Sequence, residues 1–133
     1  MGSLLLVLGP SGDPGLGKRL GRMIARSPHR GEESFYETAG LSLAVQSLGW
    51  DSSMARGRNV VVAFHGFVGN WGELRRSHGL RFDAGASHAE IIAAVFEDLE
   101  EGIIPLLRGE FAVVIHDLRR NRVLAARDPV GCR

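Results

Sequence analysis

An α+β sandwich, with helices packed outside β-sheets, is the fold class this sequence predicts, and three stretches predict it. Asn59-Val60-Val61-Val62-Ala63-Phe64 is apolar almost throughout, as a strand covered on both faces must be. Ile91, Ile92, Val95, Phe96 and Leu99 make one stripe at helical spacing. Phe111 to Ile115 and Arg122 to Ala126 flank a polar turn at 118–121 and read as a hairpin; its first strand is apolar on both faces.

The elements follow in order. Leu4-Leu5-Leu6-Val7-Leu8 is too short to span a bilayer and has no basic flank before it, so it reads as a core strand. Residues 9–17 hold two prolines and four glycines, which forces a loop. Leu16, Leu20, Met23 and Ile24 then form one apolar helical face, closed by Pro28. Leu41, Leu43 and Val45 alternate with Ser42, Ala44 and Gln46, the period of a strand with one face buried. Asn70 with Glu73, and Ser87 with Glu90, have the three-residue spacing of a helix cap whose partner reaches back, so two helices start there. Gly102 supplies the stop of the second. No internal repeat or linker divides the chain, and residues 1–133 read as a single domain.

Sixteen basic against fifteen acidic residues leave a net charge of +1. No global field favours nucleic acid or an anionic membrane, and Arg119-Arg120-Asn121-Arg122 reads as a charged hairpin tip. The lone Cys132 excludes an internal disulfide and suits a cytoplasmic protein. Gly12 to Lys18 has the spacing of a phosphate-binding loop, but Arg19 stands where a magnesium-holding Ser or Thr is required, and two prolines remove backbone donors nearby. His29, His65, His78, His88 and His116 are scattered, with no two at ligand spacing on one helix, so no metal site is expected.

A wider pattern covers residues 3 to 131: the N-terminal strand, a helix, His29-Arg30-Gly31-Glu32-Glu33, Gly66 and Asn70 after a strand, Glu73-Leu74-Arg75, Glu90 opening a helix, Gly109-x-Phe111-Ala112 to Asp117, and Arg127-Asp128-x-x-Gly131. The last two motifs are the specific ones. In this order and spacing the chain resembles the class II glutamine amidotransferase domain of asparagine synthetases and their β-lactam synthetase and lasso-peptide cyclase relatives. The resemblance implies a four-layer αββα sandwich of the N-terminal-nucleophile hydrolase type, with the last sheet open at its C-terminal edge. It also implies that Gly109, Phe111, Asp117, Arg127, Asp128 and Gly131 are structural, the last three as an ion-paired turn.

That family's chemistry needs a nucleophile on the first residue of the mature chain, because its own α-amino group is the base. The family has a cysteine after the initiator methionine, and this chain has Gly2. Where the family places Asn-Gly-Glu, the chain has His65-Gly66-Phe67, which alters the side-chain oxyanion donor and removes a carboxylate. Where the family holds the glutamine ammonium with Ser-Asp, the chain has Ser87-His88. The arginine expected at 41–48 to grip the substrate carboxylate is replaced by Leu, Ser, Ala, Val and Gln.

The expectation is therefore a catalytically degenerate domain of, or partner to, an ATP-dependent amide-bond-forming ligase. It would need no cofactor of its own, with ATP and Mg confined to a synthetase domain absent from this chain. Its partner would be that synthetase domain or chain, or a second copy through the C-terminal edge. The enzyme alternative is a glutaminase with Ser3 as nucleophile and Gly66 and His65 forming the oxyanion hole, or with an N-terminal cysteine lost before an appended Met-Gly-Ser. A binding module unrelated to amide chemistry is the third reading.

Overall fold

In the computed structural model, residues 3–8, 19, 22, 32–38, 40–47 and 52–131 are described. Seven strands form two antiparallel sheets: β1 (Ser3–Leu8), β2 (Glu32–Thr38) and β3 (Leu41–Ser47) in the order β1-β3-β2, and β4 (Ser52–Arg56), β5 (Val60–Val68), β6 (Gly109–Asp117) and β7 (Arg122–Arg127) in sequence order. Two helices, α1 (Trp71–His78) and α2 (His88–Leu99), lie between β5 and β6 in the chain.

The alternation of β5 and β6 builds two cores. Val60, Val62 and Phe64 join Phe111, Val113 and Ile115 against Ile92, Val95 and Phe96 of α2. Val61, Ala63 and Val114 face the other way, toward Leu41, Leu43 and Val45 of the three-stranded sheet. A hydrogen bond of 3.0 Å between the Tyr36 hydroxyl and His116 Nδ1 also spans the two sheets. The result is a mixed α+β sandwich of two stacked antiparallel sheets with helices on one outer face. The helix expected at 16–24 falls outside the described residues except for Arg19 and Arg22, which are helical.

Three local expectations need correction. Strand β3 is buried on both faces: Ser42, Ala44 and Gln46 are covered as fully as the leucines, because small and polar residues mark a face without stating whether chain or water covers it. Asn70 makes no side-chain cap on α1. Its Nδ2 instead donates to the Leu106 carbonyl, and its Oδ1 accepts from Arg108 N–H, each at 2.9 Å, clamping the β5–α1 turn to the approach of β6. Gly102 does not stop α2; the helix ends with Glu100 at φ 49°, and Gly102 sits inside a 3-10 segment, Glu100–Leu106. Strands β2 and β4 gave no signal because one is largely polar and charged and the other has only five residues. The Ser87–Glu90 capping box, by contrast, is formed in full.

Candidate functional site

Where β5 runs out toward α1, Phe67 and His88 meet. The rings stand edge to face with centroids 5.5 Å apart, although the two residues lie 21 positions apart in the chain. The capping box fixes His88 as the first residue of α2, and the imidazole is surrounded by Phe64 at 5.0 Å and the stacked Trp71 at 6.2 Å. Trp71 Nε1 donates to His88 Nδ1 at 2.9 Å. Burial holds the His88 pKa below its ordinary value of 6.5, and since Nδ1 is an acceptor the ring is neutral with its proton on Nε2. The resulting cavity, about 540 Å³, is lined by Ser52, Phe67, Trp71, Phe82, Ser87 and His88 among others.

His65 lies deeper, 9% exposed, on the face of β5 that looks between the sheets, and its Nδ1 is 2.7 Å from the Ser52 hydroxyl opposite it. Gly66 follows at φ +116° and pairs with Phe111. A Cβ there would run into the Glu110 carbonyl and sit 2.8 Å from Phe111 Cα, so glycine is required by the approach of β6 alone. Ser3 occupies the last rung of the β1–β3 ladder, opposite Gln46. Gly2, His29, the loop at 12–18 and Cys132 lie outside the described residues.

Gly109, Phe111, Arg127, Asp128 and Gly131 cluster at the start of β6, and Asp117 stands at its other end. Gly109 lets β6 start against the Phe67 carbonyl, and Phe111 fills the helix-side core. The buried Asp128 carboxylate accepts from the backbone N–H groups of Phe111, Val130 and Gly131, so backbone donors build the turn. A side chain on Gly131 would press on the Arg127 guanidinium.

Asp117, also buried, accepts from Arg119 and Arg120 N–H and pairs with Arg122 Nε at 3.1 Å. Burial alone would raise its pKa; the Arg122 hydrogen bond and those two backbone donors reverse this and hold it below the ordinary value. The hairpin-tip arginines are not a free basic patch: Arg119, Arg120 and Arg122 pair with Glu97, Glu100 and Glu101. Among the described residues no three His, Cys, Asp or Glu side chains assemble as a metal set, and no helix is long and apolar enough to cross a membrane.

Sequence reasoning missed Trp71 and Ser52, which orient His88 and His65; both contacts join residues far apart in the chain.

Residues 41–133 match a family described as a glutamine amidotransferase domain. The chain is 31% identical over 142 residues to asparagine synthetase [glutamine-hydrolyzing] of Brassica oleracea, covering 98% of this chain and 24% of that protein. The corresponding enzyme 1 of Arabidopsis thaliana gives the same identity and coverage. That of Asparagus officinalis is 38% identical over 77 residues, 56% of this chain and 12% of the relative. The chain thus spans about a quarter or less of the length of these relatives. With two stacked antiparallel sheets, a helical layer and this match over most of its length, the chain belongs to the glutamine amidotransferase domain family, in the part related to asparagine synthetases.

Proposed function

We propose that this domain does not hydrolyse glutamine and serves as the non-catalytic glutaminase-like part of, or partner to, an ATP-dependent amide-bond-forming ligase of the asparagine synthetase type. The observation that carries this reading is the contact between Phe67 and His88. Phe67 stands where the resemblance calls for a carboxylate, and His88 where it calls for the aspartate of the pair that holds the substrate ammonium. A ring edge and a neutral imidazole supply no negative charge at those two positions, and the Glu90 carboxylate that also lines the cavity is engaged by the Ser87 N–H, so both anchors the resemblance calls for are missing. His65, in the place of the side-chain oxyanion donor, already has Nδ1 engaged by Ser52.

The larger relatives support a place within or beside a longer chain, since this domain corresponds to about 24% of the full-coverage ones. In this reading ATP and magnesium act in the synthetase part, and the edge strand β7 is the side open to it.

An active glutaminase is the second reading, favoured by Ser3 as the first residue of β1. Incubation with L-glutamine, with glutamate and ammonia measured, separates them. The expected result is no release above the uncatalysed rate. Turnover abolished by Ser3→Ala would overturn the non-catalytic reading.

A further inference from the structure

We propose that the cavity in front of His88 binds a flat, uncharged heteroaromatic ring bearing a hydrogen-bond acceptor. The proposal deepens the non-catalytic reading and rests on it, because Phe67, Ser87 and His88, which the resemblance places in the glutamine pocket, all line this cavity. Its volume of about 540 Å³ is that of a small-ligand site.

Its walls are plates. Trp71 stacks on His88 with 28° between their planes, Phe67 meets His88 edge-on at 85°, and Phe82 meets Trp71 at 66°. Rings set at such angles offer both faces and edges to a planar guest, the geometries that aromatic pairs prefer.

The polar groups select further, because most are already committed. Ser52 Oγ is bonded to His65, Ser53 Oγ accepts from Ala89 N–H, and Ser87 Oγ accepts from Glu90 N–H. Among the described residues, Glu90 is the only charged side chain lining the cavity, and it accepts from Ser87 N–H at 2.7 Å to close the cap. Ser53 and Ser87 keep their O–H donors, and the one group with no bond at all is on the His88 ring. Trp71 occupies His88 Nδ1 and so places the ring proton on Nε2, which has no partner among the described residues. A neutral guest with one acceptor uses that donor. A carboxylate would meet the charge of Glu90, and an ammonium would have to share Glu90 with the Ser87 N–H.

Nicotinamide is a suitable probe, with L-glutamine as the contrast. Titration of the labelled full chain, followed by NMR, is expected to move the Trp71 indole N–H and His88 ring signals saturably with nicotinamide and not with L-glutamine. In His88→Phe, which keeps a ring but loses the donor, nicotinamide binding should weaken by ~10-fold. The variant's backbone spectrum checks that it is folded. Movement with L-glutamine alone, or with neither probe, overturns the proposal, as does unchanged nicotinamide affinity in folded His88→Phe. Glutamine turnover is measured separately and judges the non-catalytic reading, so the two can fail independently.

Discussion

At Gly66 one methyl group has nowhere to go. The backbone combines φ +116° with the Glu110 carbonyl and Phe111 Cα pressed against the missing Cβ, so Gly66→Ala meets both strain and collision. The expected cost is about 3 kcal/mol or more, read from urea denaturation. His88 gives a prediction in pH. Its folded pKa lies below 6.5 because of burial, so the unfolded chain takes up the proton first as pH falls. The stability it supplies is full above 6.5 and declines as pH drops toward the lowered value. Denaturation midpoints compared at about pH 7.5 and about pH 5 should fall, and the fall should be smaller in His88→Gln.

The connection between elements depends on side chains that no local pattern reveals. Asn70 opens α1 in the chain, yet its amide ties the turn to Leu106 and Arg108 on the far side of both helices. Asn70→Ala should therefore cost about 1–3 kcal/mol by orphaning a carbonyl and an N–H, while the helix itself, which lacks an Asn70 side-chain cap, keeps its circular dichroism. The ladder of Arg119, Arg120 and Arg122 with Glu97, Glu100 and Glu101 fastens the β6–β7 hairpin to the end of α2. Only Asp117 in that group is buried. Asp117→Ala should be the costly change, about 2–4 kcal/mol, and Arg119→Ala should cost under about 1 kcal/mol, both read as shifts in thermal midpoint.

For the whole molecule, the two cores share the four-stranded sheet as a common wall, and the space between the sheets is filled by Leu43, Val45, Val61 and Val114. Leu43 is fully buried there, so Leu43→Ala should destabilise the domain by about 2–5 kcal/mol in chemical denaturation, with the spectra showing whether both sheets melt together. Elements with a strong period were legible from the residues alone: β5 from its apolar run, α2 from its stripe and its Ser87–Glu90 box, and the β6–β7 hairpin. Strands β2 and β4 were not, since β2 is largely polar and charged and β4 has only five residues in which to set a period. Phe67 and His88 could be singled out by position, but their contact could not, nor could the Trp71 hydrogen bond that fixes the imidazole.

The sequence by itself determined the α+β class, the principal strands and helices, and the likeness to a glutamine amidotransferase domain, because periodicity, caps and ordered motifs are properties of neighbours in the chain. Only the tertiary structure decided that β3 is covered on both sides, that Asn70 clamps rather than caps, and that Phe67, Trp71 and His88 close around one cavity. Those outcomes depend on which distant surfaces meet when the sandwich closes, and packing between distant residues leaves no period to read.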